Sequence, residues 1–414
     1  MAPTLRAAWL IAGAAVSSFV LPPSLAVVLA VLVLVAAGVD AWMIRKPPTV
    51  ERSVSEVLSR GVPTPLEITV DERPERVLVR QPGTPDLRVE PAVSEGGLAG
   101  SVTALRRGHH ELGAPAVRVL GVLGLAHWNR TVGSSHAVEV YPDMPAARRI
   151  AARVRHGLFQ IDGLRIRGAL GLGTAFESIR EYVDGDDVRR VNWPATSKSS
   201  HPMVNQYRIE QDRDVICVLD AGRLMSAPLG DLTRMDAAVD AAAAVGAVAD
   251  VVGDRVGVVA FESTVVRDLA PVRRGGEALV RTIFDLEPAP RESDYRLAFQ
   301  RVAQKKRAFV LVLTDLLDAA AARPLVEAMP ILARKHAVAV AGVSDPDVRA
   351  ALTNPVEDRV DPARAVVAVD VLQARTEAAI QIERHGATII DVDRRQLNEA
   401  CVAAYLSAKS RVRF

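Results

Sequence analysis

Residues Val215-Ile216-Cys217-Val218-Leu219-Asp220 form an unbroken apolar run that ends in an acid. A second run of the same design follows later, Ala308-Phe309-Val310-Leu311-Val312-Leu313-Thr314-Asp315. Continuous apolar runs of this length are typical of strands that are buried on both faces of a parallel sheet. These two segments therefore predict the core of an α/β domain.

The surrounding segments alternate between strand and helix patterns. Further strands are predicted at 255–261, 336–343 and 387–392, and helices at 232–252, 277–286, 295–305, 318–334, 365–385 and 395–410. This alternation indicates a Rossmann-like, mostly parallel sheet over residues 214–414. Ligands of such sheets bind at the carboxyl ends of the strands, where we expect Asp220 and Asp315 to lie.

The preceding segments have different patterns. Residues 49–142 contain short runs of alternating polarity at 66–70, 76–80, 87–90 and 136–140, which predict a small β-sandwich. Residues 143–213 form an arginine-rich connector. Its arginines fit either a solvated helix face or a surface turned towards anionic lipid.

An uncharged stretch extends from Ala7 to Val39 near the N-terminus. It is too long for one straight membrane span, and Pro22-Pro23 divides it. We therefore predict a two-helix transmembrane hairpin over residues 1–46. Arg6, Arg45 and Lys46 flank its ends, so the positive-inside rule predicts a two-pass protein of the plasma (inner) membrane with cytoplasmic soluble domains. The alternative, a secretory signal peptide, has a shorter apolar core.

Composition and motifs argue against a nucleic-acid-binding protein, a cysteine-ligated metal site and a recognisable catalytic nucleophile. The formal net charge is +2 with 24% charged residues, which argues against a nucleic-acid-binding protein. The two cysteines, Cys217 and Cys401, lack metal-ligand spacing and are expected to be buried thiols. The sequence contains no recognisable nucleophile motif, so no catalytic residue is assigned.

The most specific stretch lies at 179–193, Ile-Arg-Glu-Tyr-Val-Asp-Gly-Asp-Asp-Val-Arg-Arg-Val-Asn-Trp. It resembles the hallmark of the bacterial domain-of-unknown-function 58 family. The family pattern continues with a basic residue and Ala-Ser-Ala-Arg, whereas this chain has Pro-Ala-Thr-Ser-Lys at 194–198. The matching positions are Arg180, Tyr182, Gly185, Asp186, Arg189 and Trp193.

The motif has two interpretations. The first is structural: Gly185 permits a turn, Asp186 caps it, and Trp193 is a buried anchor that joins the sandwich to the α/β domain. The second is a surface on which a partner docks. The first is favoured on residue chemistry alone.

The resemblance also implies two transmembrane helices and a von Willebrand factor A-like domain. Such domains often hold Mg²⁺ through Asp-x-Ser-x-Ser, a threonine and a later aspartate. Here both serines are absent after Asp220, Arg223 brings a positive charge, and the threonine position falls near Gly275-Gly276. Only a degenerate metal site at Asp220 and Asp315 remains, and no cofactor is expected.

The resemblance implies a non-enzymatic, membrane-anchored adaptor that works with a MoxR-type AAA+ ATPase on a client complex that the sequence does not identify. One alternative is a metal-assisted hydrolase that uses Asp220, Asp315 and Glu262. Another is a structural protein of the cell envelope. No nucleic-acid partner is expected.

Overall fold

The computed structural model describes residues 2–71, 77–161, 164–165, 175–183, 191–208, 212–315, 319–355, 358 and 360–410. The chain divides into two compact units, Met1–Tyr141 and Pro142–Phe414. The first unit contains the apolar N-terminal segment and the segment with alternating strands. The second contains the basic connector and the α/β segment.

The first unit begins with two helices, α1 (Leu5–Val16) and α2 (Pro23–Met43), and a 3-10 turn, Ser17–Phe19, follows α1. Its strands are β1 (Ala2–Pro3), β2 (Val50–Val54), β3 (Val57–Ser59), β4 (Thr64–Val70), β5 (Val77–Arg80), β6 (Leu87–Glu90), β7 (Val93–Glu95), β8 (Gly97–Ala104), β9 (Gly108–Leu112), β10 (Ala116–Leu120), β11 (Ala126–Thr131) and β12 (His136–Tyr141).

These strands form three sheets that share one apolar core. The orders are β1-β11-β10-β5-β7, β2-β4-β8-β6 and β3-β12-β9. Alternate residues point inwards, as in β4, where Leu66 and Ile68 are buried and Glu67 is exposed. They pack with residues such as Val79 and Val140 from the other two sheets. The alternating segments therefore form strands, as the sequence predicts.

The two N-terminal helices are joined through Pro22-Pro23, as the sequence predicts. Pro23 is the first residue of α2, where its missing N–H and fixed φ cost nothing. Helices α1 and α2 pack against each other. The apolar side chains of α2 are largely exposed, and α2 is the described helix that is long and apolar enough to cross a membrane.

Both helices are bonded to the turn between β10 and β11, residues 121–125. Thr4, just before α1, donates its hydroxyl to the Gly124 carbonyl oxygen at 2.6 Å. Asp40, in the last turn of α2, is fully buried. Its carboxylate accepts the backbone N–H groups of Leu123 (2.8 Å), Leu125 (2.8 Å) and Ala126 (3.0 Å). The helix pair is thereby part of the hydrogen-bonded structure of the first unit.

The helices of the second unit are α3 (Met144–Arg155), α4 (Trp193–Thr196), α5 (Arg234–Val252), α6 (Gly276–Ile283), α7 (Tyr295–Ala303), α8 (Ala319–Ala333), α9 (Pro346–Thr353), α10 (Asp361–Arg384) and α11 (Arg394–Ser410). Its strands are β13 (Gln160–Ile161), β14 (Leu164–Arg165), β15 (Ala175–Glu181), β16 (Met203–Arg208), β17 (Asp214–Asp220), β18 (Pro228–Leu229), β19 (Leu232–Thr233), β20 (Arg255–Phe261), β21 (Val265–Arg273), β22 (Ala308–Leu313), β23 (Ala337–Val343) and β24 (Thr388–Val392).

A six-stranded sheet organises this unit, in the order β21-β20-β17-β22-β23-β24. The edge strand β21 pairs antiparallel with β20, and the other neighbours are parallel. Every residue of β17 and β22 is buried, as expected for central strands covered on both faces. The predicted mostly parallel α/β sheet is confirmed. Both cysteines are buried free thiols, and burial raises the pKa of Cys217 to about 12.

The basic connector begins with α3, which is amphipathic. Its apolar residues Ala147, Ile150 and Val154 are buried, and the helix packs against α5. Arg153 pairs with Glu399 of α11 at 2.6 Å on the surface. In α3, therefore, the apolar face belongs to the α/β unit and arginines occupy the outer face.

His336, just before β23, gives the second unit a specific acid sensitivity. Its Nδ1 accepts the Ala308 N–H at 3.2 Å. Burial, followed by the charges of Lys335 and Arg307, lowers its pKa from 6.5 to about 4. The unfolded chain therefore takes up this proton at a higher pH than the folded chain. The stability that the neutral imidazole contributes is complete above pH 6.5 and is lost as the pH falls towards 4.

We expect His336→Gln to flatten the fall in the urea midpoint between pH 6.5 and pH 4. The unit's unfolding is followed by the reaction of its two buried cysteines with a dithiodipyridine, a reagent that still reacts with thiols in acid. His385→Gln is the matched control, because His385 is exposed. Equal pH slopes in wild type and His336→Gln would contradict this assignment.

Candidate functional site

The two predicted acids lie at the carboxyl edge of the central strands. Asp220 is the last residue of β17, and Thr314-Asp315 directly follow β22. The strand order reverses between β17 and β22, so this position is the topological switch point of the sheet. The sequence-based placement of both acids is confirmed.

Asp220 is almost completely buried, and both of its carboxylate oxygens are hydrogen-bonded. Oδ2 accepts the hydroxyls of Tyr295 and Thr314, each at 2.6 Å. Oδ1 accepts the Gly222 N–H at 2.8 Å and the Ser293 hydroxyl. Burial and then the charge of Asp220 raise the pKa of Tyr295 well above its ordinary value, so the phenol remains a donor at neutral pH.

Asp315 is held by a guanidinium. Arg234, the first residue of α5, is 3% exposed. Its Nη1 lies 2.9 Å from Asp315 Oδ1 and 3.2 Å from the Val343 carbonyl oxygen. Its Nη2 lies 2.7 Å from Asp345 Oδ2. One cation thus joins the ends of β22 and β23 to the start of α5.

The prediction that the threonine position of the degenerate metal site falls near Gly275-Gly276 is wrong. Gly275 and Gly276 lie at the start of α6, and Gly276 N–H donates to Asp250, near the end of α5, at 3.1 Å. An added Cβ at Gly275 would be 2.7 Å from the Val256 carbonyl oxygen, at the beginning of β20. These glycines therefore lie at the opposite edge of the sheet. Two other hydroxyls bind Asp220 instead. Ser293 lies in the loop before α7, and Tyr295 is the first residue of α7.

The other charged residues considered in the sequence are also at this edge. Arg223 pairs with Glu292 at 2.5 Å, and both side chains are largely exposed. Glu262, the proposed third acid, directly follows β20 and pairs with Arg291 at 3.3 Å. The rim of the edge therefore carries one exposed ion pair, Arg223–Glu292, and a second pair in which Arg291 is exposed and Glu262 is buried.

This donor set does not fit a hard divalent cation. Such an ion needs several free oxygen ligands. The Asp220 oxygens, however, accept hydrogen bonds from protein groups, and Asp315 forms an ion pair with the Arg234 guanidinium. Among the described residues, no three His, Cys, Asp or Glu side chains are grouped so as to hold a metal. The buried hydroxyls compensate the charge of Asp220 and Arg234 compensates that of Asp315, so neither carboxylate needs a cation.

We expect millimolar Mg²⁺ to leave the melting temperature of the full protein unchanged. An ion present at a hundred times its Kd would add about 2.7 kcal/mol to the stability of the folded state. Thermal melts with and without Mg²⁺ measure this directly. A rise with Mg²⁺ that disappears in Asp315→Asn would contradict the expectation.

The hallmark motif is only partly described. Gly185, Asp186 and Arg189 lie outside the described residues. Arg180 and Tyr182 lie at the end of β15, and the Arg180 side chain donates to the Glu181 carbonyl oxygen at 2.9 Å. These positions leave both interpretations of the motif open.

The expected burial of Trp193 is wrong, since its side chain is 69% exposed. Trp193 begins α4, a single turn capped by Asn192, whose side chain accepts the Ala195 N–H at 3.0 Å. The turn is contacted by β16 of the two-stranded sheet β15-β16. An element this small offers too little apolar surface to cover an indole.

Fold and site together define a two-unit protein whose α/β unit carries an internally bonded polar network at the switch point. Residues 178–355 match the sequence model of the family described as "Protein of unknown function DUF58". The match covers less than half of the chain and confirms the resemblance to that family found in the motif.

Two relatives illustrate the similarity. They are uncharacterized protein Rv1480 of Mycobacterium tuberculosis and uncharacterized protein Mb1516 of Mycobacterium bovis. Each is 27% identical to this chain over 200 residues. The match covers 45% of this chain and 61% of each relative, which is less than two thirds of their length.

Proposed function

We propose that this protein is a membrane-anchored, non-enzymatic adaptor whose α1 and α2 form a two-pass hairpin. At 1.5 Å per residue, α2 is about 31 Å long, which matches a hydrocarbon core of about 30 Å. The start of α1 and the end of α2 bond to the same turn, as expected if both ends emerge on one side. Arg6, Arg45 and Lys46 make that side the cytoplasm.

The contacts of the N-terminal segment also favour an anchor over a cleaved signal peptide. Strand β1 pairs with β11 at the edge of a sheet. The Trp128 indole N–H donates to the Ile44 carbonyl oxygen. Cleavage of this segment from the rest of the chain would remove β1 and the buried Asp40 and Ile44 from their hydrogen-bonded partners.

The α/β unit is proposed to be von Willebrand factor A-like. With its strands numbered along the sequence, its sheet has the order 3-2-1-4-5-6, and the third strand is antiparallel. In this proposal the edge near Asp220 and Asp315 binds protein through its exposed rim. The partner implied by the family resemblance is a MoxR-type AAA+ ATPase.

The observation that carries the adaptor proposal is the internal bonding of the switch-point acids. A catalytic or metal-binding carboxylate must present an oxygen to its ligand, whereas Asp220 uses both oxygens to hold three loops together. What this edge offers outwards is charge, from Arg223, Glu292 and Arg291. Such rims steer and orient protein partners.

We expect the double variant Arg223→Glu, Arg291→Glu to weaken binding to a purified MoxR-type ATPase of the same organism about tenfold or more, because like charges across an interface cost several kcal/mol. Pull-down and binding titration use the full protein in detergent or nanodiscs. The double variant Arg273→Glu, Arg281→Glu is the control, since both arginines are exposed, lie outside this rim and give the same change in net charge.

Two results would count against the proposal. The first is that wild-type protein captures no ATPase of this class. The second is that Arg273→Glu, Arg281→Glu weakens binding as much as the rim variant, since net charge rather than the rim would then determine the binding.

A further inference from the structure

We propose that the turn between β10 and β11 dips into the membrane interface beside α2, so that the β-rich part of the first unit is itself a lipid-contacting element. This inference rests on the proposed membrane anchoring and adds a second contact with the bilayer. The occupant of the surface is the interfacial layer of lipid headgroups and upper acyl chains. The residues that carry it are Leu120, Val122 and Leu123.

All three side chains are apolar and exposed, with Leu120 at the end of β10 and the other two in the turn. Their exposed fractions are 38% for Leu120, 40% for Val122 and 53% for Leu123. The side chain of Trp42, in the last turn of α2, is also exposed, and the Arg45 guanidinium lies 4.4 Å from its ring centroid. Tryptophan and arginine at the end of an apolar helix are typical of the membrane–water interface.

The hydrogen bonds of Asp40 fix the depth of the turn along α2. Leu123 donates its N–H to Asp40, which lies three residues before the helix ends at Met43. The turn is therefore level with a point about 4.5 Å inside the end of the helix. Interfacial segments typically lie about 5–10 Å deep in the boundary between lipid headgroups and acyl chains. The turn and the end of α2 would therefore lie in the same interfacial layer.

The backbone of the turn suits a region that is poor in water. Asp40 accepts the N–H groups of Leu123, Leu125 and Ala126. Gly121 N–H donates to the Ala126 carbonyl oxygen at 2.9 Å, and Gly124 N–H to the Gly121 carbonyl oxygen at 3.0 Å. Five amides of one short turn thus have partners within the protein, as a backbone near hydrocarbon requires. A soluble turn with apolar side chains at its tip has no need of a buried carboxylate for this purpose.

The test uses the full chain in liposomes with single cysteines labelled by an environment-sensitive fluorophore. The positions are Leu123→Cys in the turn, Val31→Cys in the middle of α2, and Val93→Cys in β7. Val93 is 49% exposed, which matches Leu123, and it lies in the strand at the far edge of the same sheet from β1. Native Cys217 and Cys401 are fully buried, so the introduced thiol takes the label.

Lipids that carry a quencher in the acyl chain report the contact. We expect strong quenching at positions 31 and 123 and at most a tenth as much at position 93. Quenching at 31 with none at 123 would overturn the proposed turn insertion and leave the anchor intact. No quenching at 31 would overturn the anchor itself.

Two further outcomes also overturn the inference. Equal quenching at 93 and 123 would mean that the whole sandwich lies on the bilayer. Blue-shifted emission at 123 without quenching would mean that protein, for example a second copy of the chain, covers the turn.

Discussion

Replacing Arg234 by methionine is expected to lower the free energy of unfolding of the α/β unit by about 3–5 kcal/mol, because a buried ion pair that loses one partner leaves an uncompensated charge. Arg234 and Asp315 are 3% and 1% exposed at the side chain, and the guanidinium also binds Asp345. Methionine fills much of the volume but donates no hydrogen bond. The loss is therefore electrostatic rather than a cavity effect.

Cysteine labelling in urea reports the unfolding of the second unit, which contains Arg234. Cys217 and Cys401 are both in the second unit and fully buried, so they react only when it opens. The control is Arg301→Met, since Arg301 is largely exposed and pairs with Asp268 at the surface. Surface ion pairs contribute about 0–1 kcal/mol.

The double variant Arg234→Met, Asp315→Leu provides a sharper test. Replacing a whole buried ion pair by apolar groups is often neutral, so part of the lost stability is expected to return. If Arg234→Met unfolds at the same urea concentration as Arg301→Met, the guanidinium does not hold this edge together. The Arg234 guanidinium would then not exclude a cation from Asp315.

The central strands could be predicted from the sequence because burial on both faces leaves no room for polar residues. That constraint makes β17 and β22 visible as apolar runs, and their carboxyl ends then place Asp220 and Asp315. Strand β21 cannot be predicted in the same way because it is an edge strand. Arg267, Asp268 and Pro271 interrupt its pattern, and such residues are tolerated where one side of a strand is unpaired.

The partners of the two acids could not be predicted. Ser293, Tyr295 and Arg234 reach the switch point from a loop and two helix starts far away in the sequence. No periodicity links a strand end to such groups. The Gly275-Gly276 assignment failed for the same reason, because sequence spacing does not say at which edge of a sheet a loop lies.

The role of Asp40 as an acceptor of three backbone N–H groups also could not be predicted from the sequence. An acid just after an apolar segment looks like the ordinary end of a membrane helix. Its function depends on β10 and β11, whose turn brings three N–H groups to one carboxylate. Gly121 is required there, since an added Cβ would lie 2.1 Å from Asp40 Oδ2. The close approach of helix and turn is therefore specified by two residues that are remote in sequence.

Replacing Asp40 by leucine is expected to release the turn from α2. Three backbone N–H groups would lose their acceptor, and each buried donor left unsatisfied costs about 1–3 kcal/mol. Local opening of the turn should then become at least about a hundredfold more frequent, which corresponds to roughly 3 kcal/mol. Hydrogen exchange at Leu123, Leu125 and Ala126, measured on the full protein in nanodiscs, reports this opening residue by residue.

Asp40→Asn separates the loss of an acceptor from a change of shape. The amide keeps one acceptor oxygen and the size of the side chain, so exchange should accelerate less than in Asp40→Leu. Asp71→Leu is the control, because Asp71 is exposed after β4 in the same unit. Unchanged protection at all three amides in Asp40→Leu would mean that β1 and Trp128 alone hold the helices. A graded response from aspartate through asparagine to leucine would instead identify this carboxylate as the link between α2 and the strands of the first unit.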